Sequence, residues 1–547
     1  MNSDNFEQKN IENITLVLTQ LETYGNQLFL EGYITLISNP DEWRVVFLVD
    51  EQLISCKLIP ITNVKSLYIL AAYGRRFNIT LPIQYGSKIQ VAVIYEPAGK
   101  KIVFKNIAKG NSFPINHNIP DSYFIKNNYM FTCNESTIFV KKPEWKLKAE
   151  LRFLKSIYKV KGEHYKKSIL ARISANIIKA FYKRDIWIVS DRVDKADDNG
   201  EAFFRYLVEQ KEKNKKLLFA IRKDSHDYQR IKKIGTVINI HGNLYRVLLL
   251  VGITLISSHA NGLIPALSGG KDFFRDMTYH SKFVFLRHGI TKDDMSNWLN
   301  KYNINANIFI TATKPEYHSI LDGDYFYGED VVKLTGFPRY DNLYDNNQKY
   351  ITFMPTWRKN LVVRGKLNRP FLIQHFAETD YFMFHNNLLN NEKLIAIAKE
   401  HGYKLAFMIH PVLLKALDLF DKHPDVHFYG YETSYREIYA KSALIVTDFS
   451  SAVFDAAYLR KPIIYTQFDK ESFYSDKGHY APGYFSYEDD GFGEVEYDLE
   501  SSINRIIEYI ENGCMLKDKY RERIEKTFAF NDKNNCERVY KAILELE

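Results

Sequence analysis

Apolar positions divide the chain into two regimes. From about residue 12 to 140 they recur in short runs: ITLVLTQLE, NQLFLEGYITLI, RVVFLVD, SCKLIPI, KIQVAVIYE and KKIVFKNI. These runs are rich in β-branched and aromatic residues, and Asn-Pro, Tyr-Gly and Pro-Ala-Gly separate them. Short strands punctuated in this way predict a β-sandwich or small barrel. No residues in this stretch make up a reaction centre, so it is expected to bind or to space.

From Ile186 the rhythm changes. Apolar runs IWIVSD, KLLFAI, TVINI, TLISS, KFVFLRHG, IFITAT and VVKLTG alternate with helical or loop stretches. A second series, YITFMPTW, KLAFMIHP, VHFYG, ALIVTDFSS and PIIYTQF, follows a break near Asp341 to Lys349. Strands that alternate with helices build parallel sheets covered by crossover helices. Two series predict two Rossmann-like units beside a cleft, with ligands beyond the carboxyl ends of the strands. The expected organisation is a β-rich domain over 1–140 and a basic helical linker over 141–184. A first Rossmann-like domain over 185–345 and a second over 346–547, with the C-terminal helices, complete it.

Within the linker, Leu147, Leu151, Leu154 and Tyr158 follow one another at helical spacing. Lysines and arginines surround them and far outnumber Glu144, Glu150 and Glu163. A basic amphipathic helix suits an anionic membrane surface, where each cation contributes roughly 1 kcal/mol. The same pattern suits a helix that packs its apolar face on a neighbouring domain.

Composition narrows the class. A chain of 547 residues exceeds one core, and 46% hydrophobic content is ordinary for a globular protein. Cys56, Cys133, Cys514 and Cys536 lie far apart without metal-ligand spacing, which favours a reducing compartment. The first residues lack a basic stretch followed by an apolar one. The longest apolar run, Val247 to Ile256, is about half of the ~20 residues a bilayer crossing requires. The expectation is a cytoplasmic protein, peripheral on the inner face of the membrane. Nucleic acid ranks low as a partner, because the basic run carries an apolar face instead of exposed stacking aromatics.

Several motifs fall at predicted strand ends. In ALIVTDFSSAVFDAAYLRKPIIY, a strand runs into Thr447-Asp448-Phe449-Ser450-Ser451 and then a helix. Serine hydroxyls and free N–H groups at a helix start make an anion seat suited to diphosphate; Asp448 and Ser450 serve equally as helix caps. His410 ends the strand of KLAFMIHPVLL, where Pro411 keeps it extended. An imidazole there donates to phosphate or acts as acid or base. His288-Gly289 ends the strand of KFVFLRHGI, and the glycine permits close backbone approach. Each histidine also suits a purely structural place. Thr356 and Arg358 follow the first strand of the second series, where a guanidinium can grip phosphate. Gly336, Pro338, Arg339 and Asp341 form a turn at the hinge. His241-Gly242 lacks a comparable strand, and Asp322-Gly323-Asp324 reads as a loop, not a metal site. No HExxH, Walker loop, GxGxxG or GxSxG occurs in the required context.

Taken in order, FLRHG, TGFPRYDN, FMPTWR, IHP and TDFSSAVFDAAYLRKPIIYTQFD resemble the CDP-glycerol glycerophosphotransferase family of teichoic acid and capsule polymer synthesis. The resemblance covers roughly Ile186 to Leu546. It implies a GT-B-like pair of Rossmann domains and transfer of glycerol phosphate or ribitol phosphate from a CDP-linked donor, with release of CMP. The acceptor it implies is a lipid-linked teichoic acid or capsule polymer. It makes His288 the general base and His410 a contact to the donor diphosphate. It places Ser450, Ser451, Thr356 and Arg358 on the phosphates and Asp455 on the donor ribose. No cofactor or protein-held metal is implied, and a divalent cation is left open. Arg287 stands where relatives more often carry Trp, and Phe449 replaces the commoner Tyr. The alternatives are a GT-B glycosyltransferase using a nucleotide sugar and a non-catalytic membrane-surface binding protein.

Overall fold

The computed structural model describes residues 15–36, 43–61, 73–95, 100–103, 108–110, 113–182, 184–212, 214–260, 271–364, 370–430, 432–475 and 480–546. Residues 1–14, the Pro-Ala-Gly turn and residues 104–107 of the predicted strand KKIVFKNI lie outside these. The N-terminal strands build two sheets. Thr15–Tyr24, Gln27–Leu36 and Tyr73–Pro82 lie at the centre of one, and Trp43–Val49, Lys88–Tyr95 and Thr137–Lys141 in the other. Their central pairings are antiparallel. Leu16, Leu18 and Leu30 from the first sheet meet Phe47, Val91 and Val140 from the second in one core, as a period of two allows.

The remainder holds two parallel sheets. The first contains β1 (Asp185–Ser190), β2 (Lys215–Ile221), β3 (Val237–Asn239), β4 (Thr254–Ser257), β5 (Lys282–Phe285), β6 (Ile308–Thr311) and β7 (Val332–Leu334), ordered β3-β2-β1-β4-β5-β6-β7. The second contains β8 (Tyr350–Phe353), β9 (Lys404–Phe407), β10 (Val426–Phe428), β11 (Ser442–Thr447), β12 (Ile463–Thr466) and β13 (Gly493–Glu496), ordered β10-β9-β8-β11-β12-β13. Trp187, Ile188 and Val189 of β1 are wholly buried, as expected of a strand covered on both faces. Each sheet reverses its direction of growth between its first and fourth strands, so β1/β4 and β8/β11 are switch points, the places at which sheets of this kind generally take ligands.

The basic segment forms two helices, α1 (Lys146–Val160) and α2 (Tyr165–Phe181). Ala149, Phe153, Ile157 and Ala175 pack with Ile186, Ile188 and Leu218 on the first parallel sheet. The buried Arg172 pins this contact: it donates to Glu150 (2.8 and 2.7 Å) and Asp276 (2.8 and 2.9 Å). The stripe singled out by spacing is therefore not the packed one. Leu147, Leu151 and Tyr158 remain exposed, because the second stripe at Ala149, Phe153 and Ile157 carries Glu150, the partner that Arg172 requires.

One expected boundary differs. Helix α7 (Asn535–Leu544), placed by the sequence reading with the second unit, packs on the first sheet. Cys536, Val539 and Ile543 share a core with Trp187, Phe203 and Ile308. The Asp341 carboxylate accepts the N–H groups of Asn535 (2.9 Å) and Cys536 (2.8 Å), and Lys282 donates to the Leu546 carbonyl (2.7 Å). Among the described residues, no helix is long and apolar enough to cross a membrane.

Candidate active site

The two switch points open onto one cleft. On the first wall, the Asp191 carboxylate just beyond β1 accepts the N–H groups of Gly200 (2.7 Å) and Glu201 (2.9 Å) at the start of α3 (Asn199–Glu209). A Cβ at Gly200 would stand 2.3 Å from the Ser190 carbonyl, so this junction requires glycine. Asp191 also accepts the hydroxyl of Ser258 (2.8 Å), just past β4. Ser258 in turn presents its carbonyl to Nδ1 of His288, 3.4 Å away.

The loop that bears His288 is held from below. Asn199, fully buried, donates to the carbonyls of Leu286 (3.2 Å) and Arg287 (2.8 Å) and accepts the N–H of Arg339 (3.0 Å). Arg287 takes a left-handed φ of 61° and lays its guanidinium over Phe285 and Phe309. His288 is thereby turned to the open cleft. With Nδ1–H donated to Ser258, Nε2 keeps its lone pair. The ring is exposed toward the open cleft; burial of its remaining sides, then His259, Arg287 and Arg192, lower the His288 pKa below 6.5, so the ring is neutral at pH 7.

The second wall is organised by Asp448. Its buried carboxylate accepts the N–H groups of Thr356 (2.8 Å) and Phe449 (2.5 Å) and pairs with Arg358 (2.9 Å). Arg358 also donates to both oxygens of Asp469 (2.7 and 2.9 Å) and to the Thr356 carbonyl (2.6 Å). Its guanidinium is buried between two carboxylates and the Thr356 carbonyl, and Arg358 is absent from the cleft lining. The expected direct grip on phosphate is not offered; the cation braces the loop instead. Thr356 does line the cleft, and its buried hydroxyl has no partner among the described residues.

Ser450 and Ser451 follow, half-buried. The Ser450 hydroxyl accepts the N–H of Ala452 (3.2 Å). The helix beyond, α5 (Val453–Tyr458), is short, so its start adds less charge than a long helix would. The seat rests on hydroxyls and N–H groups. At His410, Nδ1 accepts the N–H of Val412 (3.2 Å), which leaves Nε2–H as the donor of the neutral ring. The ring lies 6.1 Å from that of Trp357, at 30°.

The walls nearly touch. A Cβ at Gly289 would lie 3.0 Å from the Ser451 hydroxyl. His288, Gly289, Thr356, His410, Ser450, Ser451 and Asp455 all line the cleft. Both Asp455 oxygens, however, are bound by Arg339 (2.7 and 2.7 Å), whose third arm holds Asp198 (2.9 Å). His241-Gly242 and Asp322-Gly323-Asp324 lie outside the lining. Sequence reasoning missed Asp191, Asn199, Ser258, His259 and Tyr439, which donates to the Ala452 carbonyl (2.8 Å). The signal for three of them was present: IVSD and LISSH end strands just as FLRHG does.

Residues 171–545 match the model of the CDP-Glycerol:Poly(glycerophosphate) glycerophosphotransferases. The chain belongs to this family. The match takes in both parallel sheets and α7, and leaves out the N-terminal sheets. The minor teichoic acid biosynthesis protein GgaB of Bacillus subtilis (strain 168) is 35% identical over 555 residues, covering 97% of this chain and 60% of that protein. The teichoic acid ribitol-phosphate polymerase TarK of Staphylococcus aureus (strain NCTC 8325 / PS 47) is 24% identical over 39% of this chain and 40% of its own. The chain thus spans less than two thirds of the length of these curated relatives. The wall teichoic acid polymerase TagF shares the fold, with a TM-score of 0.51 at 16% identity over 73% of this chain and 98% of that one.

In this family member, Gly289→Ala is expected to wedge the walls apart by a few tenths of an ångström against Ser451. A misplacement of about 1 Å costs about 10²-fold, so a shift of a few tenths is expected to lower turnover by about threefold. Steady-state kinetics beside an unchanged circular dichroism spectrum would check it.

Proposed function

We propose that the protein transfers glycerol phosphate or ribitol phosphate from a CDP-activated donor to a hydroxyl of a lipid-linked teichoic acid or capsule acceptor, releasing CMP. The observation that carries this reading is the meeting of His288-Gly289 with Ser451 across one cleft, with Thr356 and His410 in the same lining. In this reading the two parallel sheets form a GT-B-like pair, the first serving the acceptor and the second the CDP donor. The N-terminal sheets form a separate module.

The acceptor hydroxyl gives its proton to Nε2 of His288, and its oxygen attacks the β-phosphorus of the donor. The bond from that phosphorus to the bridging oxygen breaks, and CMP leaves with the electron pair. Nε2–H of His410, the unpartnered Thr356 hydroxyl and the Ser450–Ser451 turn receive the charge that builds on the diphosphate. Arg358 and Asp455 act one step away. Arg358 braces the Asp448 turn, and Asp455 joins the walls through Arg339.

A donor panel tests the reading: CDP-glycerol, CDP-ribitol and several UDP-sugars, scored for CMP or UDP. Release of CMP with either CDP-alcohol supports it. UDP release from a sugar donor makes the protein a glycosyltransferase, and no release from any donor makes it a binding protein. Ser451→Ala is expected to raise the donor KM by about 10-fold or more, since a hydrogen bond to a charged group contributes ~1.5–3 kcal/mol.

The same reading places the protein in the cytoplasm, peripheral on the membrane. Its support is the free side of the helix pair, where Leu147, Leu151, Tyr158, Leu170, Ile177 and Phe181 stand exposed among Lys148, Lys155, Lys159, Lys166 and Lys167. Apolar side chains ringed by cations match an anionic lipid surface. The variant Leu147→Glu, Leu151→Glu, Tyr158→Glu is expected to lose co-sedimentation with anionic vesicles while donor turnover in solution persists. Equal binding to zwitterionic and anionic vesicles by the unaltered protein would count against the charge component.

A further inference from the structure

A base that must aim one nitrogen at a hydroxyl needs its ring held at an edge and on a face. For His288 the edge is held weakly, by a 3.4 Å contact from Nδ1 to the Ser258 carbonyl. The face is covered by the ring of His259, with centroids 4.3 Å apart and planes within 8°. We propose that His259 is a positioning residue for His288, a rigid plate that fixes the plane of the base and shields one of its faces from water. This inference rests on the assignment of His288 as the base.

The plate is itself anchored through its backbone. The Ser257 hydroxyl donates to the His259 carbonyl (2.9 Å) and accepts the His259 N–H (3.1 Å). Ser190 donates to the same hydroxyl (3.1 Å), so the ends of β1 and β4 together fix the residue that covers His288. The polar edge of the plate does little: Nε2 of His259 is buried without a hydrogen bond among the described residues, and Asp198 stands 3.9 Å off. His259 stands behind the cleft lining that His288 joins. What it offers His288 is a flat surface.

A covered face disfavours the charged ring, and the groups around the pair add to this. Arg192 approaches from the loop after β1, Arg287 from the loop of His288 itself and Arg339 from the hinge. Asp191, which accepts the Ser258 hydroxyl and is pushed up to about 8 by burial, stands behind the pair, with Asp198 at the start of α3. Asp197, Glu201, Arg205, Lys292 and Asp293 line the same cleft, and Arg436, His410 and Asp455 face it from across the gap. Burial pushes His259 itself down to about 3, so at neutral pH it is an uncharged plate.

Two substitutions separate a plate from a hydrogen-bonding group. His259→Ala uncovers the face; His259→Phe keeps a flat ring and removes both nitrogens. In the alanine variant, kcat is expected to fall about 10²-fold with the donor KM unchanged. The acid limb of its pH profile is expected to move up by about one unit as His288 gains water. The phenylalanine variant is expected to restore kcat to within about threefold of the unaltered protein and to return the acid limb. Histidine-selective ¹³C NMR of the full chain, without donor, reads the His288 titration directly, its signal assigned by its loss in His288→Gln. An alanine variant with an unshifted His288 titration would sink the proposal. So would a phenylalanine variant as impaired as the alanine one, since the nitrogens would then matter. If no donor is turned over by the unaltered protein, the base assignment fails, while the NMR comparison still decides whether His259 shields His288.

Discussion

Glutamine in place of His288 is expected to cut CMP release by about 10²- to 10⁴-fold, the usual contribution of a positioned general base. Donor affinity should stay within about twofold. The two effects separate because the base stands on the first wall, whereas Thr356, His410, Ser450 and Ser451 stand on the second. The loop is held by Asn199 through backbone carbonyls, so it should keep its course when the side chain is changed to the similarly sized, amide-bearing glutamine. The neutral state of His288 adds a pH signature. Its pKa lies well below 6.5, so the proton-accepting form is already complete at pH 7. Protonation of His288 should therefore lower turnover only below pH 6.5, whereas a change near pH 8 belongs to Asp191, which burial pushes up to about 8. A His288 titration centred at 6.5 or above would mean that the cleft does not hold this ring neutral. Single-turnover kinetics with donor binding measured by calorimetry would check both parts.

Breaking the bridge between the walls should have the largest effect on stability. Arg339 joins Asp198 on the first wall to Asp455 on the second, and all three side chains are largely buried. Arg339→Leu leaves two carboxylates without their cation in a poorly solvated place. Removing one partner of such a pair typically costs about 3–5 kcal/mol. The loss should appear as a lower urea midpoint, joined by loss of turnover because the walls no longer meet at Gly289 and Ser451. The triple variant Arg339→Leu, Asp198→Asn, Asp455→Asn should recover much of the stability, since no buried charge is then unmatched. Turnover should remain low in it, because the Arg339 bridge that aligns the walls is gone. Full activity in Arg339→Leu would show that the bridge does not set the cleft.

The cleft-lining positions are legible in the sequence because strand ends can be read from apolar runs. His288, His410, Ser450 and Ser451 each follow such a run, and parallel sheets bring those ends to one side. Arg358 was misjudged for a physical reason: a guanidinium after a strand has the same sequence signature whether it faces a ligand or two carboxylates. Asp448 precedes the serines and Asp469 lies beyond the next strand, and only folding brings both to Arg358. Asp455 lines the cleft, but its bond to Arg339, 116 residues away, has no sequence signature.

Local patterns, then, suffice for the kind of element, its place in a parallel or antiparallel sheet, and which polar side chains stand at each strand end. They suffice because strand burial and turn geometry depend on neighbours within a few positions. Three things were decided by the tertiary structure alone. One was which face of α1 is packed, since two apolar stripes compete and the buried Arg172 selects the one with Glu150. Another was the return of α7 to the first sheet, since its apolar positions would serve either sheet. The last was the pairing of Arg358 with Asp448 and Asp469 and of Arg339 with Asp198 and Asp455. Charges are matched through space, and sequence separation carries no record of that distance.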